Sequence, residues 1–368
     1  MSKPKILVTA ASGKTGSATV VQLLGKGYPV RAMVRAHDNR SEKLRRQGAE
    51  IVVGNLDDIV DVRQALDGVQ RAYFCPPLTQ GSLATSMIFA AAAQEHKLEA
   101  VTVMSQWLAD PTNPSTHTRE SWLGDTLFSW MPDVATVTVN PGWFADNYRI
   151  AGLNIIAQMG IMMIPLGDGL NAPPSNEDMA RVIVGTLTDP APHVGKTYRP
   201  TGPRLLSPQE IAETFGKVLG RKVRYQDAPP WLFPKAARAF DIPDFQAAQL
   251  LSYFAEYRRN SFAIGAPTNA VLEVTGQEPE DFETIARRYL AAPTMQRSPG
   301  ALAKTLLALM KVMGSPALDV DTFNRAHALP WIGHARLAVD SPEWRQTHVG
   351  AVVENGLPDI AVASLVGS

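Results

Sequence analysis

The fold of this chain is decided at its start, by Lys5-Ile6-Leu7-Val8-Thr9-Ala10-Ala11-Ser12-Gly13-Lys14-Thr15-Gly16. Residues 5–9 form a short apolar run that reads as a buried strand. Small residues and two glycines follow, and residues 14–27 then read as a helix whose apolar side is Ala18, Val21, Leu23 and Leu24. A strand, a tight turn and a helix N-terminus together suit a pyrophosphate. The turn lets a backbone N–H approach the anion with no Cβ in the way, and the helix end carries partial positive charge. Gly13 and Gly16 supply the close approach and the tight helix–strand packing. The first glycine of a G-x-x-G-x-x-G pattern is Ala10 here, which is expected to keep an ordinary backbone conformation because positive φ is costly for a residue with a Cβ. The competing reading, two glycines that merely tighten a connection, lacks a reason for the strand before and the helix after.

The same rhythm continues outward. Strands are expected at residues 29–35, 49–54, 71–75, 98–105 and 135–140. Between them lie a charged helix capped by Ser41 and ending at Gly48, then helices at 59–66, 82–95 and about 118–130. Alternation of this kind predicts an α/β protein with a doubly wound parallel sheet, a Rossmann domain over residues 1–150. Beyond it a smaller α/β lobe, residues 151–291, is expected to carry the substrate side, and a strand near 197–202 returns to the first domain. Ser175-x-x-Asp178 opens a helix, and Ser207-Pro208-Gln209-Glu210 is a complete capping box for another that closes at Gly220. A strand at 222–226 and a helix at 281–289 complete the lobe. Residues 292–368 form a C-terminal extension without this rhythm, an extra helical tail. Its clearest helix, 301–313, aligns Leu302, Leu306, Leu309 and Met313, with Lys304 and Lys311 at heptad spacing, and offers a surface for a homodimer contact, a protein partner or a membrane surface, or simply packs on the second lobe.

Lys+Arg and Asp+Glu each number 35, so no net charge draws the chain to nucleic acid or anionic lipid. A single cysteine, Cys75, excludes an internal disulfide and a multi-cysteine metal site, and fits a reducing, cytoplasmic setting. The N-terminal apolar run is too short for a signal peptide. The apolar stretch 155–164 is broken by Gln158 and Gly160 and falls short of the roughly 20 residues of a transmembrane segment. His327, His334 and His348 have spacings that match no ligand pattern, and no metal is expected.

The second strand ends in Arg35, where an acidic residue would take the ribose 2′-hydroxyl of NAD and a basic one suits the 2′-phosphate of NADP. Lys14 and Arg31 are expected nearby, and Asp38 is the argument for NAD. NADP(H) is the cofactor read here, NAD(H) the weaker alternative. The residues expected against it are Thr9, Ala11, Ser12, Gly13, Lys14, Thr15 and Gly16 of the turn, Arg35, Asn55 and Leu56 after the third strand, Pro76 and Pro77 after the fourth, and Ser105 after the fifth.

Taken together these segments resemble the NmrA-like group of atypical short-chain dehydrogenases. Residues 9–16 match its TGATGxxG-like turn, 30–35 its V-R-A-x-V-R strand and 54–58 its G-D-L-x-D phrase, with Asn55 for Asp. Residues 140–147 resemble its R-P-G-x-F-x-x-N phrase, 165–169 its P-x-G-D-G, and 198–203 its Y-x-x-T-G-P. The resemblance spans residues 3–291. It implies NADP binding, and it implies two outcomes: NADPH-dependent reduction of quinones, dyes or aromatic alkenes, or redox sensing by a non-catalytic regulator.

None of the eight tyrosines has a lysine four residues on, so the Tyr-x-x-x-Lys machinery of ordinary short-chain dehydrogenases is absent. Hydride transfer to a quinone asks less, chiefly placement of donor and acceptor. The slot expected for a flat small-molecule acceptor is Ser105, Gln106, Trp107, Trp143 and Phe144, all at strand C-terminal ends; the three aromatics can equally be inter-lobe core, and Ser105 a strand-end hydroxyl bonded to backbone. His117 and Arg119 are expected at a solvated helix start, and Cys75 as an inert thiol. The reading is thus an NADPH-dependent reductase of a flat electron-poor acceptor, a quinone first; the alternatives are a non-catalytic NADP(H) sensor and an imine or alkene reductase.

Overall fold

The structure, a computed structural model, describes residues 3–326 and 332–353. Ile6, Leu7 and Val8 are fully buried, as a central parallel strand must be when helices cover both faces. They form β1 (Ile6–Val8), which pairs in parallel with β2 (Val30–Val34) on one side and β4 (Arg71–Phe74) on the other, so that Val8 lies between Ala32 and Tyr73. With β3 (Glu50–Val53), β5 (Ala100–Met104), β6 (Ala135–Val139) and β8 (Thr197–Tyr198) they build a seven-stranded parallel sheet in the order β3-β2-β1-β4-β5-β6-β8. This is the doubly wound Rossmann-type sheet.

On one face α1 (Lys14–Gly25) packs against α7 (Asn176–Thr188), which packs in turn on α11 (Ala270–Thr275). The other face carries α3 (Ile59–Leu66), α4 (Ser82–Glu95) and α5 (Thr116–Ser129), with Phe74, Phe89 and Phe128 in the core between. The short α2 (Asn39–Arg46) starts at Asp38, whose carboxylate accepts from the Arg40 and Ser41 amides while Ser41 Oγ takes the Asp38 N–H. The cap is therefore Asp38, and Ser41 is its reciprocating third residue, not the cap itself.

A second core gathers Tyr148, Phe215, Phe233, Phe254, Tyr257 and Phe282. It is enclosed by the parallel pair β7 (Ile161–Ile164) and β9 (Arg224–Asp227) and by α6 (Leu153–Met159), α8 (Pro208–Leu219), α9 (Leu232–Ala239), α10 (Asp244–Arg258) and α12 (Phe282–Leu290). The capping box at Ser207 and Glu210 is formed, and Gly220 closes α8 in the left-handed conformation.

The extension is packed onto the rest of the molecule. Helix α13 (Pro299–Gly314) lies on α6 and α9, and α14 (Val320–Ala326) follows. Its inward side is Thr305 and Val312, not the row through Leu306 and Met313; those two, with Leu307 and Met310, are exposed. Helix α15 (Pro342–Val353) docks through Trp344, whose indole N–H donates to the Trp107 carbonyl at 2.8 Å, and through His348, buried against both indoles. His327 lies outside the described residues. Among the described residues no helix is long and apolar enough to cross a membrane.

Candidate functional site

Strand order reverses between β1 and β4, and a cleft of about 680 Å³ lies beyond the C-terminal ends of these strands. Ser12 and Gly13 border it from the first turn, Arg35 from the end of β2, Asn55 and Leu56 from β3, and Pro76 and Pro77 from β4.

The turn is built around one carbonyl. Gly13 N–H donates to Ala10 O at 2.8 Å; a Cβ on Gly13 would stand 3.0 Å from that oxygen, and one on Gly16 only 2.3 Å away. Ala10 adopts φ 47°, contrary to the ordinary conformation expected of it. The tight turn takes the left-handed cost, about 1–2 kcal/mol for a residue with a Cβ, in order to bring its carbonyl over Gly13 and Gly16. Helix α1 then begins at Gly13 with no side-chain cap and no acidic residue in its first turn. By contrast α3, α5, α7 and α8 are capped by Asp58, Ser115, Ser175 and Ser207. The free amides and dipole of α1 thus remain available to an anion.

Arg35 is exposed, and no ion-pair partner stands against it among the described residues. Asp38, the residue that argues for NAD, is committed to capping α2 and to Arg40; the Ser41 amide hydrogen bond and the Arg40 side chain hold its carboxyl below the usual range. Arg31 is not nearby. It bonds Glu50 and the carbonyls of Ala65 and Asp67 at the other end of the strand. Lys14 is paired with Asp146, which also meets Arg149.

The remaining turn residues support the cleft and do not line it. Thr9 is buried and its hydroxyl accepts from the Cys75 amide at 2.9 Å; Ala11 is buried with its N–H on Met33; Thr15 donates to Asn176; Gly16 sits against Ala10. Cys75 is partly buried, and desolvation pushes its thiol up, as an inert thiol requires.

Of the expected acceptor slot, Trp107 and Trp143 are core. They are 1% and 2% exposed, Trp143 among Phe254, Tyr257 and Phe262, so neither can face a substrate in this arrangement. The lobes and the extension close over them. Gln106 is half-buried between Ser121 and Thr118, Phe144 is half-buried against the sheet, and Ser105 Oγ donates to Asp125 Oδ2 at 2.6 Å.

That last contact belongs to a cluster that sequence reasoning missed. Asp125 on α5 also meets the Asn140 side chain beyond β6 and is attracted by the Arg199 guanidinium beyond β8. Burial outweighs these and pushes the carboxyl up to about 7. Pro76 borders both the cleft and the small cavity beside Ser105 and Asp125. The available signal was positional: Asn140 and Arg199 each stand one residue past a strand.

His117 and Arg119 are buried, not solvated, because α10 covers the start of α5. His117 Nδ1 lies 3.1 Å from Ser82 Oγ, which donates to Glu120, and desolvation lowers the imidazole to about 4.

Comparison with known proteins agrees with this architecture. The NmrA-like family matches residues 2–111. The NAD(P)H azoreductase of Xenophilus azovorans is 27% identical over 78% of this chain and 98% of its own. The NADPH-dependent quinone oxidoreductase of Escherichia coli, solved with NADPH, superposes with a TM-score of 0.67 at 20% identity, covering 77% of this chain and 99% of that one. NmrA, a negative transcriptional regulator solved with NADP, superposes with a TM-score of 0.63 at 17% identity, covering 78% and 95%. About a fifth of this chain lies outside the match to each of these three proteins. By its turn, its sheet and its relatives, the chain resembles the NmrA-like family, whose match covers residues 2–111.

Proposed function

We propose that the chain binds NADPH in the cleft and reduces a flat, electron-poor acceptor, with a quinone as the first candidate. The observation that carries this reading is the pairing of an uncapped helix N-terminus with an exposed Arg35, without an ion-pair partner among the described residues, across one cleft. Gly13, Gly16 and the amides of α1 would hold the pyrophosphate, and Arg35 the 2′-phosphate. Asn55 and Leu56 would flank the adenine, and Pro76, Pro77 and Ser105 the nicotinamide. When bound, the cofactor supplies the hydride. With Trp107 and Trp143 in the core, the acceptor side narrows to Ser105, Gln106 and Phe144. The likeness to an azoreductase and to a quinone oxidoreductase supports an azo or quinoid acceptor. The test is NADPH consumption against a panel of small quinones. Faster oxidation of NADPH than of NADH, varying with the quinone, is expected; no acceptor-dependent oxidation while NADPH still binds would defeat the enzyme reading.

A second reading, a non-catalytic NADP(H) sensor, draws on the likeness to NmrA and on the missing Tyr-x-x-x-Lys pair. Calorimetry separates the two. A sensor binds NADP and NADPH with distinctly different affinity and turns over neither.

A further inference from the structure

We infer that Ser105 and Asp125 form the proton-supplying end of the site, with the Ser105 hydroxyl as the donor to the acceptor oxygen and Asp125 as the positioning residue that refills it. This rests on the reductase reading and adds what that reading lacks, a source for the proton that must accompany the hydride.

The geometry is specific. Ser105 follows β5, Asn140 follows β6 and Arg199 follows β8, all at the sheet edge that opens on the cleft. Asp125 reaches the same point from α5, 2.6 Å from Ser105 Oγ. Pro76 separates this group from the nucleotide cleft and borders both. Asn140 Oδ1 and Arg199 Nε are buried with no hydrogen-bond partner among the described residues, an arrangement that costs stability and calls for a reason.

The step balances. A quinone that has taken up a hydride, two electrons with one proton, would be left as an oxyanion needing one more proton. Ser105 gives its O–H proton to the resulting oxyanion, which becomes the hydroquinone. Asp125 passes its carboxyl proton to Ser105 and is left as a carboxylate, which Arg199 and Asn140 stabilise until solvent returns the proton. The other groups facing this cluster are Glu120 and His117 from α5 and His348 from α15. Desolvation holds His117 neutral, and desolvation with the Arg199 charge does the same for His348, so neither competes as an acid near neutrality. His348 is supplied by the C-terminal extension, which therefore forms part of the electrostatic setting of Arg199.

The experiment combines quinone-dependent NADPH oxidation from pH 5 to 9 with infrared titration of the cofactor-free protein. Wild type, Asp125→Asn, Asp125→Glu and Ser105→Ala are compared. Wild-type kcat should be high below about pH 7 and fall above it. Asp125→Asn and Ser105→Ala should lose at least about tenfold in kcat with KM for NADPH unchanged, and Asp125→Asn should lose the pH break. Asp125→Glu should recover part of the rate with a shifted break. In the infrared, a protonated carboxyl band titrating near 7 should be present in wild type and absent from Asp125→Asn. Wild-type kcat and pH profile in Asp125→Asn would overturn the pair while leaving the reductase reading intact. Wild type that binds NADPH yet oxidises none with any quinone overturns the reductase reading and this role with it. Should Asp125→Asn fail to fold, Ser105→Ala and the wild-type band decide the matter by the same criteria.

Discussion

Gly16 is the residue on which the first turn depends most directly, since a Cβ there would lie 2.3 Å from the Ala10 carbonyl oxygen, a backbone atom that cannot step aside. Gly16→Ala should lower stability by about 1–3 kcal/mol, the usual cost of forced overpacking, and weaken NADPH binding; chemical denaturation and calorimetry read the two. Ala10→Gly goes the other way. It removes left-handed strain but loosens the unfolded chain, so the melting temperature should hold or rise slightly and NADPH binding should persist. At Asp125 the linkage has a definite sign. Its carboxyl rises from 3.8 unfolded to about 7 folded, so its contribution to stability is full below about pH 4 and is lost as the pH climbs through 7. Asp125→Asn should therefore match wild type near pH 4 and melt higher at pH 8, even as it loses activity.

Elements with one-sided apolar patterning or an unambiguous cap were legible from sequence, and those without were not. Helix α8 was bounded by its capping box and Gly220, and Ser207→Ala should cost about 1 kcal/mol by denaturant titration. Helix α10 left no such trace. Its buried residues include Phe245, Ala248, Gln249, Glu256 and Tyr257, so polar and apolar side chains are covered alike and no stripe emerges. At α2 two good capping residues stand three apart, and which one caps was set by reciprocity, with Asp38 outside and Ser41 returning the bond. The turn residues of the cleft were readable because glycine, strand and helix spacing constrain backbone. The Ser105–Asp125–Asn140–Arg199 cluster was not, since its members are joined only by sheet order and the placement of α5. Helix α15 was equally hidden: its anchors are Trp344, bonded to the Trp107 carbonyl, and His348, packed against both indoles. Trp344→Ala should destabilise by about 3–5 kcal/mol, as the loss of a buried Trp does elsewhere, and a melting curve shows it.

At the scale of the molecule, a neutral chain offers no broad field to gather a phosphorylated nucleotide, so recognition falls to a few local groups. The parallel sheet presents four strand ends to one cleft, α1 contributes uncapped amides, and Arg35 adds a fixed cation. The second lobe and the extension close the opposite side, where Trp107 and Trp143 are core, and in the proposed reaction an acceptor would be met near Ser105. The most direct test is calorimetric titration of wild type and Arg35→Glu with NADPH and NADH under the same conditions. Wild type should bind NADPH at least about tenfold more tightly, roughly 1.4 kcal/mol, and Arg35→Glu should reverse the order. No binding of either nucleotide by wild type at millimolar concentration, or an unchanged preference in Arg35→Glu, would contradict the account.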